Sequence, residues 1–111
     1  MKLGDLVLAS VQQSNGQLKR RPAVLLAEMP PFGDFLIAGI SSQLRQEVIG
    51  FDEKVLSADS DFSNSGLKVD SLIRLGVLTV IPKSSIFGVL GEISSERLTR
   101  LRKALANHLL A

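Results

Sequence analysis

A mainly β fold with one C-terminal α-helix, a small β-barrel of the SH3-like kind, is predicted by three observations. Short runs of β-type or apolar residues recur at Leu6–Val11, Pro22–Ala27, Asp34–Ser42 and Ser71–Ile81, and their length and bounding breakers suit strands rather than helices. Turn-forming clusters separate them, at Gln12–Gln17, Met29–Gly33 and Ser63–Gly66. The last segment changes period, with Leu98, Leu101, Leu105 and Leu109 at helical spacing. A small sheet that curls until it closes removes its exposed edges, and a helix covers it.

Taken in order, Leu6–Val11 makes the first strand, and the Asn15-Gly16 pair behind it favours a positive-φ turn in a mobile loop. Pro22–Ala27 is almost uniformly apolar and reads as a strand buried on both faces, with proline at its first residue, where no ladder bond is lost. Pro30, Pro31 and Gly33 stop it. In the next strand, Asp34–Ser42, Gly39 marks either a bulge or a close approach by another backbone or a ligand. Glu47–Phe51 is a weaker strand candidate, and Asp52–Phe62 is either a short helix or an irregular connection. Ser71–Ile81 is a long strand in which Gly76 supplies a kink of the kind barrels use at corners. Ser84–Gly91 is a helical turn or a last short strand. Ser94 is placed as an N-cap, Ile93 and Leu98 as a hydrophobic staple, and Glu96 sets negative charge in the first helical turn.

At 111 residues, 45% hydrophobic and 22% charged, the chain matches one globular domain, residues 1–111, that buries roughly two-thirds of its unfolded surface. The absence of cysteine excludes disulfides, thiolate metal sites and thiol nucleophiles. No apolar run approaches the roughly 20 residues that span a bilayer, and the early Asp5 does not suit a secretory signal, so no membrane partner and a cytoplasmic location are expected. The net charge of +2 is mild. Lys19-Arg20-Arg21 forms one basic knot and Arg97, Arg100, Arg102 and Lys103 another. Each meets phosphate or forms a solvated face.

His108 is the only histidine, which rules out a histidine-pair nuclease within one subunit, and it has no second ligand at metal-binding spacing. No cofactor is expected. The residues left to carry chemistry are cations and hydroxyls at strand ends. Arg21 precedes Pro22, so its backbone is held extended beside a mobile loop, and a guanidinium fixed there can clamp a phosphate. Ser41 and Ser42 close a strand, where a hydroxyl can donate to a phosphate oxygen.

Four pieces of the sequence, in this order, resemble the PemK/MazF family of type II toxin–antitoxin toxins: Gly4-Asp5, Arg21-Pro22-Ala23-Val24-Leu25, Ile40-Ser41-Ser42-Gln43, and Ser65-Gly66-Leu67-Lys68-Val69-Asp70-Ser71. The resemblance runs from about Lys2 to Ser85. It implies an SH3-like barrel, a homodimer, and metal-independent cleavage of single-stranded RNA, restrained by a cognate antitoxin protein. It also implies that Arg21 and Ser41 are the catalytic pair. Gln12, Asn15, Gln17, Lys19, Arg20, Ser42, Gln43 and Lys83 are expected at the RNA. The general base is left open among Asp5, Glu28 and water. Ser41 stands where many members have Thr. Gly76, Val77 and Thr79 stand where many have an acid, a Gln and an Arg. With five Phe and no Trp or Tyr, strong base stacking is not expected. Two other readings accompany the nuclease: a binding module of the same fold without catalysis, and a CcdB-like gyrase poison acting on a protein.

Overall fold

The structure, a computed structural model, describes residues 1–111. Six strands, β1 (Asp5–Gln12), β2 (Leu18–Met29), β3 (Asp34–Ser41), β4 (Glu53–Val55), β5 (Ser71–Ile81) and β6 (Ile86–Glu92), form one curled antiparallel sheet in the order β4-β5-β3-β2-β1-β6. A single turn of helix, α1 (Phe62–Ser65), and the long α2 (Ser95–Leu110) complete the chain. The end strands β4 and β6 do not pair with each other, so the curl is a half-barrel rather than a closed ring.

Strand alternation sorts the apolar residues into two cores. Leu6, Val24, Leu26, Ala38, Ile73 and Leu75 face α2 and pack with its Leu101. Val7, Ala9, Ala23, Leu25, Phe35, Ile37 and Ile81 line the other, inward face of the curl. Leu98 and Leu105 pack on the first core, but Leu109 is 73% exposed because the helix runs on past the sheet. In its last turns the His108 ring lies 4.8 Å from that of Phe51.

Two boundaries differ from the sequence reading. β2 begins at Leu18, four residues before the expected Pro22, and the β1–β2 hairpin extends as a two-stranded arm closed by Gly16 at φ 85°. Pro22 pairs with Leu8 of β1 on one side only, because pairing with β3 starts at Ala23; such a local edge accommodates the missing donor. The candidate strand Glu47–Phe51 is instead irregular chain and a turn that follow a 3-10 turn at Leu44–Gln46, and β4 comes after it at Glu53–Val55. Gly39 and Gly76 both belong to a bulge. Ala38 pairs with Leu78 while its neighbour Gly39 pairs with Arg74, so Leu75, Gly76 and Val77 are extra residues on β5.

The second basic cluster is neither a phosphate site nor, as a whole, a solvated face. Arg97 is 6% exposed and donates to both oxygens of Asp61 (2.8 and 3.0 Å), to Asp59 (3.0 Å), to Glu53 (3.0 Å) and to the Lys54 carbonyl (2.7 Å). Arg100 forks onto Glu53. Asp61 also accepts from the Ser94 N–H, so this network ties the start of α2 to β4 and α1.

Candidate active site

A groove of about 1160 Å³ opens where β1, β2, β3 and β5 meet. Its floor belongs to the inward core, with Ala23, Ile37 and Ile81. Arg21 lies opposite Ala9 in the β1–β2 register, and alternation with Ala23 and Leu25 sends its side chain to that same inward face. It is exposed and enters none of the ion pairs of the chain. Ser41, the last residue of β3, also lines the groove. Its hydroxyl accepts the Gln43 N–H at 3.0 Å and donates weakly toward Gln46 Oε1 at 3.4 Å. The backbone contact fixes the serine rotamer, the task a β-branch performs in threonine.

Of the other residues expected at the RNA, Gln12, Ser42 and Gln43 line the groove, and Asn15, Gln17, Lys19, Arg20 and Lys83 do not. Asn15 and Gln17 are joined in the hairpin tip, where Asn15 Oδ1 accepts the Gln17 N–H at 3.0 Å, and Gln13 and Ser14 take their place at the rim. Arg20 follows the opposite face from Arg21, and its guanidinium sits 4.0 Å from the centre of the Phe87 ring. Lys83 lies beyond β5, with Nζ 5.8 Å from the Phe35 ring centre.

The sequence reading missed Arg74 and Lys68, both in the groove lining. The signal for Arg74 was available: it is the one charged residue in a long apolar strand, flanked by Ile73 and Leu75, whose side chains must both go to the α2 core. Alternation then turns Arg74 to the groove, where its Nε is buried without a protein partner. A buried donor left unpaired is costly, and a ligand oxygen would satisfy it.

No carboxylate or imidazole lines the groove. Both acids considered as a base lie elsewhere. Asp5 is held by Lys2 at 2.9 Å; burial pushes its carboxyl up, but the Lys2 hydrogen bonds outweigh that and leave it below the ordinary range. The same ammonium, bonded to Glu92 and Asp5, is raised to about 12. Glu28 sits by Gly33 at the far end of β2. Nowhere do three acidic or histidine side chains converge as metal ligands. Arg21, Lys68 and Arg74 therefore give the groove a positive field with no internal counter-charge. Val77, in the bulge, folds over Gly39, where a Cβ would lie 3.0 Å from its Cγ1, and makes that part of the groove apolar.

Fold and sequence together place the chain among the toxins of type II toxin–antitoxin systems. It belongs to the PemK-like, MazF-like family of these toxins, whose sequence pattern it matches over residues 2–109. The Mycobacterium tuberculosis toxin MazF-mt6 has the same fold, with a TM-score of 0.68 over 95% of each chain at 18% identity. No curated protein matches the sequence.

Proposed function

We propose that this toxin is an endoribonuclease that cuts single-stranded RNA without a metal. The observation that supports the reading best is the pair of unpaired guanidiniums, Arg21 and Arg74, facing one acid-free groove beside the Ser41 hydroxyl. In the proposed reaction the 2′-oxygen of the RNA attacks the adjacent phosphorus. The O2′–P bond forms as the P–O5′ bond breaks, giving a 2′,3′-cyclic phosphate and a 5′-hydroxyl. The substrate supplies its own nucleophile, so the protein has to hold the phosphate in line and stabilise the charge that builds on its oxygens. Arg21 is suited to a bidentate clamp, and Ser41 to a single donated hydrogen bond. An arginine stays protonated at ordinary pH, so the 2′ proton leaves to water rather than to either guanidinium, and the departing O5′ takes its proton from water.

Two protein partners belong to this reading. A type II toxin is restrained by an antitoxin, and the charge of the groove suits an acidic segment with apolar anchors that folds onto it in place of RNA. Val80 of β5 and Phe87, Val89 and Leu90 of β6, half-exposed and outside the groove lining, are apolar surface suited to a second copy. An mRNA substrate sets the reaction in the cytoplasm. No helix of the chain is long and apolar enough to cross a membrane.

The test is incubation of antitoxin-free protein with a long unstructured RNA in chelator, beside Arg21→Ala. Discrete fragments with cyclic-phosphate ends are expected, with the rate in the variant down on the order of a hundredfold or more. Since Arg21 is exposed, the variant should melt with the wild type. RNA left whole by the folded wild-type chain would overturn the nuclease and direct attention to protein targets.

A further inference from the structure

The β5 bulge that delivers Arg74 and Val77 to the groove breaks the regular ladder, and the N–H of its first extra residue, Leu75, has no strand partner there. Pairing with β4 ends at Ile73, and pairing with β3 resumes only at Leu78. The donor is met instead by a side chain from a remote turn. Asp52 Oδ1 accepts the Leu75 N–H at 2.9 Å across 23 residues of sequence. Its other oxygen accepts the Val48 N–H at 2.9 Å, and its own N–H donates to the Val48 carbonyl at 2.9 Å. Asp52 is buried, and it stands one residue before β4, which is itself laced to β5.

We propose that Asp52 is a positioning residue for the groove: by anchoring the Leu75 amide it sets the peptide plane that follows Arg74 and holds the bulge that turns Val77 over Gly39. The anchor fixes one side of Arg74, and the buried Ile73 and Leu75 side chains fix the face it takes. A charge-assisted bond to a backbone amide is among the stronger hydrogen bonds available. Losing it would leave a buried N–H unpaired in the one part of β5 without ladder support. The role in the bulge follows from the geometry; its importance to cleavage rests on the nuclease reading above.

A double-mutant cycle with Arg74→Ala separates positioning from general loss of structure. Asp52→Ala, which removes both acceptors, should lower kcat on RNA on the order of a hundredfold, the scale of a 1 Å misplacement, with KM changed far less. It should add nothing to the loss already caused by Arg74→Ala. Full additivity of the two losses would overturn the proposal. Amide hydrogen exchange provides a second readout that needs no catalysis: the Leu75 N–H should lose protection while Ile73 keeps its own, and the Arg74 Nε–H resonance should move. A wild type that cuts no RNA sinks the nuclease reading alone, and the exchange experiment then decides the role of Asp52. Unchanged Leu75 protection would overturn it. Should Asp52→Ala not fold, Asp52→Asn takes its place. An amide offers one acceptor oxygen where two are used, so either the Leu75 or the Val48 amide should lose protection, and retention of both would refute the anchor.

Discussion

Arg21 and Arg97 show how one residue type takes opposite work from its surroundings. Arg21 stands free over a groove, whereas Arg97 is 6% exposed and hydrogen-bonded to three carboxylates. Breaking a buried pair by removing one partner costs about 3–5 kcal/mol, so Arg97→Ala should lower the melting temperature sharply, and calorimetry should show the loss. The pH dependence has a definite sign. Hydrogen bonds from Arg97 outweigh burial and hold the Asp61 carboxyl at about 2, below its ordinary value of 3.8. A depressed folded-state pKa contributes stability that is full above the unfolded value and fades as pH falls through the folded one. Melts of the wild type should therefore be flat in this contribution above roughly pH 4 and drop toward pH 2. In Asp61→Asn that drop should shrink; an equal drop in both proteins would assign the acid sensitivity elsewhere.

At the level of the elements, β5 and the start of α2 were readable from the sequence because strong local rules agree there. Ser71–Ile81 is the observed β5, and Ser94 caps α2 by accepting the Arg97 N–H at 3.1 Å. Ser94→Ala should cost ~1 kcal/mol in a denaturant titration, somewhat more if the Asp61 contact to the same residue is disturbed. What could not be read depends on distant partners. β4 has only three residues, too few to show a period, and exists because β5 offers it an edge. The arm of β2 is exposed and charged from Leu18 to Arg21, so nothing apolar announces a strand there; β1 supplies its order. In the groove, Arg21 and Ser41 followed from motif and strand end, while Arg74 needed the knowledge that Ile73 and Leu75 both face the helix. Close packing of α1 on β6 was likewise hidden. A Cβ on Gly91 would lie 2.2 Å from the Asn64 carbonyl oxygen, so Gly91→Ala must push backbone apart and should destabilise by about 3 kcal/mol, measurable by chemical unfolding.

Across the whole molecule, the half-barrel leaves its two terminal strands unpaired with each other, and β5 and β6 carry exposed apolar side chains, among them Val80 and Phe87, of the kind a second copy would cover. Sedimentation of the wild type should give a dimer, and Val80→Lys together with Phe87→Lys should shift it to monomer. Monomeric wild-type protein at micromolar concentration would remove this face from the account. The same topology also governs when the chain acquires its form during synthesis. β1 finds its outer partner only in β6, Asp5 opposite Glu92, and the core beneath the sheet needs Leu101. Such distant pairings carry the loop-closure cost of the whole intervening chain and form late. Arg21, Ser41 and Arg74 have thus all been translated before the sheet that aligns them can be completed. A nascent chain ending short of α2 carries every residue of the groove but lacks Leu101, on which the core beneath the sheet packs, and is expected to hold the groove less firmly than the finished chain.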